Sequence, residues 1–139
     1  MAFNLNLEIN EAIQAGEVAL RSLREADMYL RKAKNWGVMD ILGGGLMTDL
    51  FKHSRVRRAQ QCMSDAKCNL ARFSRELDDI DEYIPDLNLG SFYTFADFFF
   101  DGLLADILMQ SRIADARHQV SSAITQVERI LDRLKKEVR

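Results

Sequence analysis

The chain has 139 residues, 47% apolar and 29% charged, with a net charge of −2. That is the size and balance of one domain that can bury a real core. The near-neutral charge gives no general pull toward nucleic acid or an anionic membrane, and the most apolar run, 92–109, carries Asp97, Asp101 and Asp106, which lipid would penalise.

The N-terminal MAFNLNLEINEA has neither a basic stretch nor an apolar core, so it is not read as a secretory signal, and a cytoplasmic location is expected. Phe3, Leu5, Leu7 and Ile9 alternate there, and a short extended arm competes with an early helix start. A first helix follows through Ile9, Ala12, Ile13, Leu20, Leu23, Ala26, Leu30 and Ala33. Alanines at 12, 19, 26 and 33 form a column of small side chains that lets helix backbones approach closely.

Asn35 to Gly45 (NWGVMDILGGG) reads as a connection: a turn, then a short amphipathic helix, with Gly43, Gly44 and Gly45 able to break a helix. A second long helix then shows in Val56, Ala59, Met63, Ala66, Leu70, Phe73, Leu77 and Ile80, in steps of three and four. Cys62 and Cys68 on it are six residues apart and point to different sides, so two reduced cysteines are expected rather than a disulfide or a shared metal. Asp81 to Gly102, with the only proline at Pro85, is the second connection. A third helix carries Ile113, Ala116, Val120, Ala123, Val127, Ile130 and Leu134 in the same register as the second.

That shared register belongs to an internal repeat. Residues 36–77 and 93–134 align without gaps at an offset of 57, with identities that include Asp40/Asp97, Gly45/Gly102, Asp49/Asp106, Ser54/Ser111, Arg55/Arg112 and Ala66/Ala123. One supersecondary unit used twice explains this pattern. The expected fold is therefore all-α: an elongated, antiparallel bundle of three long helices with short connecting helices, in a single domain over 1–139. A helix of about 35 residues is roughly 50 Å long. So narrow a bundle gains apolar burial by pairing, and a homodimer is expected.

The runs WGVMDILGGGLMTDLFKHSRV and FYTFADFFFDGLLADILMQSRI resemble an uncharacterised bacterial family of small helical proteins. The family pattern is W-x3-D-x2-GGG-x7-HS followed by a FADFFFDG-like stretch, and the resemblance covers about residues 35–135. It implies a bacterial, cytosolic helical protein and carries no activity with it.

The candidate sites are few. Gly43–Gly45 precede a helix start, where free amides could bind an anion, and Asp49 and His53 lie one turn apart, with Asp40 able to approach. A small-ligand, anion or metal-binding role for this region is the alternative function. Against it, no P-loop lysine or preceding strand is present, and the second copy has Phe100, Asp101 and Gln110 in place of Gly43, Gly44 and His53. Close helix packing and an acid at the helix N-terminus are the plainer account. Ser64 has no nucleophile elbow around it, so no catalytic residues, metal or cofactor are expected.

Lys52, His53, Arg55, Arg57 and Arg58 form a basic cluster, balanced downstream by Asp78, Asp79, Asp81, Glu82 and Asp86. A solvated face, with salt bridges to a neighbouring chain, suits that balance better than nucleic-acid binding. The sharpest anomaly is Phe92, Tyr93, Phe95, Phe98, Phe99 and Phe100, which hold half of the chain's aromatics within nine residues. Core packing, a dimer interface and a docking site are all open to them. Aspartates flank this stretch where a membrane-surface helix would carry lysines, so a protein partner is the functional expectation: a non-enzymatic interaction or scaffold module.

Overall fold

A computed structural model describes residues 4–43, 46–84, 87, 89, 90, 92–94, 96 and 113–138, and side chains within 4–31, 58, 61–84, 87, 89, 90, 92–94, 96 and 117–138. Among the described residues the chain is helical, with no strand. The elements are α1 (Leu5–Gly43), α2 (Leu46–Asp78), a 3-10 turn (Asp81–Tyr83) and α3 (Ile113–Glu137), and α1 packs against both α2 and α3. No helix among the described residues is long and apolar enough to cross a membrane.

The start of α1 is decided by Asn4. Its side-chain Oδ1 accepts a hydrogen bond from the Leu7 N–H at 3.2 Å, while its carbonyl accepts the first helical bond from Glu8 N–H at 3.0 Å. An asparagine cap of this kind removes an orphan donor, and the helix wins over the extended arm. The alternating leucines are then not used as a strand face: Leu7 is 53% exposed, while Ile9 and Ala12 are buried.

At its other end α1 corrects the sequence expectation. Residues 35–43 are not a turn and a separate short helix; they continue α1 to Gly43. The segment WGVMDIL has no proline, and a lone Gly37 costs a helix only about 1 kcal/mol. Termination comes where glycines follow one another.

The seams are buried as their periods require. On α1 these are Ile9, Ala12, Ala15, Ala19, Leu23, Ala26 and Leu30; on α2, Met63, Ala66, Leu70, Phe73 and Leu77; on α3, Val120, Ala123, Val127, Ile130 and Leu134. Burying each larger member contributes about 1.5–3 kcal/mol. The alanines of the seams are buried, so they act as spacers that set how closely the helices meet.

Contacts along α1 give the chain directions. Asn69 Nδ2 donates to Ser22 Oγ at 2.5 Å, and Arg58 Nη1 reaches the Tyr29 hydroxyl at 3.5 Å. Going up α1 is therefore going down α2. Lys135 Nζ meets Glu17 at 2.9 Å and Arg24 meets Glu128 at 3.8 Å, so α3 also opposes α1. It follows that α2 and α3 point the same way.

Gly16 marks where the three helices converge. A Cβ there would lie 2.7 Å from Leu131 Cδ2 on α3 and 2.8 Å from Phe73 Cε1 on α2. Both distances are shorter than carbon atoms tolerate. The hydrogen atom of glycine is what lets an α2 side chain and an α3 side chain approach the same turn of α1.

Candidate functional site

The second connection begins as a continuation of α2. Ile80 N–H donates to Leu77 O at 3.1 Å and Tyr83 N–H to Ile80 O at 2.9 Å, which closes the 3-10 turn. Beyond it Ile84, Leu87, Leu89, Phe92 and Ala96 are all buried. A helical turn forms again around Gly90–Thr94: Tyr93 N–H donates to Leu89 O at 2.8 Å, and Thr94 Oγ1 donates to Gly90 O at 3.0 Å.

This segment ties α2 to α3. The Phe92 ring packs edge-to-face on Phe73 of α2, with centroids 5.7 Å apart and planes at 70°. That is the geometry the ring quadrupoles favour. On the other side Arg129 of α3 donates from Nη1 to the Leu87 carbonyl at 3.4 Å.

Tyr93 forms the rim. It is half-buried, its ring tilts on Phe92 at 6.0 Å, and its hydroxyl donates to Asp78 Oδ1 at 2.7 Å. Burial pushes the phenol pKa up, and the hydrogen bond and negative charge of Asp78 push it further. All three causes favour the neutral phenol, which keeps its donor role far above neutral pH.

Of the six aromatics singled out in the sequence, Phe92 is thus fully covered by this chain's own residues, and Tyr93 is partly so. In this arrangement Phe92 is unavailable to a partner. Its signal was present all along: Phe73 is the largest member of the α2 seam and calls for a matching ring. Phe95, Phe98, Phe99 and Phe100 lie outside the described residues.

The other candidate region is only partly in view. Gly43 is the last residue of α1, with Asp40 on its final turn, and Asp49 and His53 lie on the first two turns of α2. Gly44 and Gly45, and the side chains of Asp40, Asp49 and His53, lie outside the described residues.

The structure also assembles a group that no local motif announced. Glu8 from the first turns of α1 comes together with Glu76 and Asp79 at the end of α2, their carboxylate oxygens within 4.8 Å of one another. Loss of hydration pushes the Glu8 pKa up first, followed by the charges of Glu11, Asp79 and Glu76. The acids of 76–82 are visible in the sequence, but Glu8 joins them only because α1 and α2 run in opposite directions. Between α1 and α3, by contrast, the surface groove sets Arg21, Arg24, Arg129 and Lys135 among Glu17, Glu128 and Asp132, so both signs of charge are mixed there.

Cys62 is buried and Cys68 is exposed, and both are free thiols. Burial raises the Cys62 pKa, so its thiol is a poor nucleophile. No family model matches this chain, and no curated protein and no solved structure matches it.

Proposed function

We propose that this chain is a non-enzymatic interaction or scaffold module, working in the cytoplasm as a homodimer and docking a protein partner through the aromatic residues that follow Phe92 in the connection, up to Phe100. In this reading the three helices form one elongated antiparallel bundle, and the repeated units at 36–77 and 93–134 supply its two parallel members against α1.

One observation carries the reading. Phe92 is locked into the core against Phe73, and Tyr93 is pinned to Asp78 immediately after it. The aromatic run therefore begins from a fixed point, with Phe95, Phe98, Phe99 and Phe100 still to come in sequence. Aromatic anchors presented from a rigid base are what protein interfaces favour, because little side-chain entropy is lost on binding.

The test is purification at native level from the natural host, with identification of stoichiometric companions by mass spectrometry. The same is done for chains carrying Phe98→Asp and Phe99→Asp. A companion lost in the substituted chains, with helicity retained, is the expected result. Unchanged folding, oligomeric state and companion set in both substituted chains would overturn the proposal.

A further inference from the structure

The groove between α1 and α3 has a volume of 610 Å³, within the range of about 300–1,000 Å³ that small-molecule sites occupy. Its apolar lining is Leu20 and Leu131, and the rest of its wall is charged. Leu131 is buried in the core, and Leu20 packs against that core from its edge.

Two ion pairs fix the register of the helices here. Glu17 of α1 meets Lys135 of α3 at 2.9 Å, and Arg24 meets Glu128 at 3.8 Å. Seven residues forward on α1 thus match seven residues back on α3. Arg21 and Asp132 fall between the two pairs, one on each wall of the groove. The remaining cation of the groove, Arg129, donates to the Leu87 carbonyl.

Arg21 and Asp132 are both exposed, and unlike their neighbours they do not close on each other. Among the described residues neither has a hydrogen-bond or ion-pair partner. Opposite charges that share a groove in this way select by sign. A simple anion drawn to Arg21 meets Asp132, and a simple cation drawn to Asp132 meets Arg21. A molecule carrying both charges satisfies both walls.

We infer that this groove binds a free α-amino acid with an apolar side chain. The carboxylate of the ligand takes the Arg21 guanidinium, whose forked donors match a carboxylate. Its ammonium takes the Asp132 carboxylate, and its side chain lies on Leu20 and Leu131. The flanking pairs Glu17–Lys135 and Arg24–Glu128 leave no net charge at either end of the site. The aromatic run takes no part, so this site stands apart from the partner-docking residues.

The test is an NMR titration of the full chain with L-leucine. Binding is expected with a dissociation constant on the order of 1 mM, because both charged contacts are exposed. Isocaproate lacks the ammonium and isopentylamine lacks the carboxylate, and each should bind about fivefold more weakly. Arg21→Gln and Asp132→Asn should each weaken leucine binding by a similar factor. Both should leave the circular dichroism spectrum unchanged, since neither side chain holds the fold. No response at about 50 mM leucine would overturn the site. So would equal binding by either half of the ligand, by ε-aminocaproate, whose charges stand far apart, or by both substituted chains.

Discussion

The two helices that oppose α1 do so with matched seams and unlike side chains. On α2 the fully buried positions include Leu70 and Phe73; their counterparts 57 residues later on α3 are Val127 and Ile130. Both pairs are equally buried, so the difference lies in reach. Phe73 extends far enough to touch two things at once, the turn of α1 at Gly16 and the ring of Phe92 in the connection. Ile130 is β-branched and shorter. The flanks differ as well: α1 and α2 share the Asn69–Ser22 hydrogen bond, whereas α1 and α3 are edged by the ion pairs Lys135–Glu17 and Arg24–Glu128. A common pattern can thus produce one helix that organises a connection and one that closes the core.

The most direct way to break this comparison is to shorten the two counterparts. Phe73→Ala should cost about 3–5 kcal/mol, since it empties a site shared by α1, α2 and the connection. Ile130→Val should cost only about 0.5–1.5 kcal/mol. Denaturant unfolding followed by circular dichroism measures both, and equal losses would show that Phe73 has no organising role.

A smaller effect is expected at the point where the helices converge. Gly16→Ala gains about 1 kcal/mol of helix propensity but drives a methyl group into Phe73 and Leu131, an overpacking cost of about 1–3 kcal/mol. Leu131 can turn aside, whereas Phe73 is held by Phe92. Net destabilisation of about 1 kcal/mol is therefore expected, read as a lower denaturant midpoint. A stabilised variant would mean that the rings yield more readily than their packing suggests.

The mildest test sharpens the role of the connection. Tyr93→Phe removes the hydroxyl bond to Asp78 and should cost about 1 kcal/mol at neutral pH. The folded-state pKa of Tyr93 is raised, so its contribution is fully present below the unfolded value of about 10 and is lost as pH rises beyond it. The wild-type chain should therefore lose stability more steeply above about pH 10 than the phenylalanine variant. Parallel stability curves in that range would remove Tyr93 from the account.

Much of this fold was legible in the chain because helical packing writes itself as a period. Every described residue of the second and third seams, from Met63 to Ile80 and from Val120 to Leu134, is buried where its spacing places it. The first segment was read less well. The alternation at Phe3–Ile9 suggested an arm, but one hydrogen-bonding side chain at Asn4 tipped the balance to helix. The run at 35–43 suggested a turn, but a single glycine is too cheap to stop a helix that is already propagating. Of the candidate site, Phe92 was found by its composition, and of the outcomes open to it the core is the one it takes. Aromatic density marks a segment that must be covered and does not say by what.

Local chemistry alone determined the helices, their buried faces, the helix-ending glycines and the small alanine spacers, because each depends on neighbours within one or two turns. Tertiary structure alone decided that Phe92 belongs to the core, that Gly16 must lack a side chain, that Tyr93 meets Asp78, and that Glu8 meets Glu76 and Asp79. Each of those joins residues from 15 to 115 positions apart, and no local spacing encodes such a meeting. They follow from the direction in which each helix runs and from which ring is long enough to reach across.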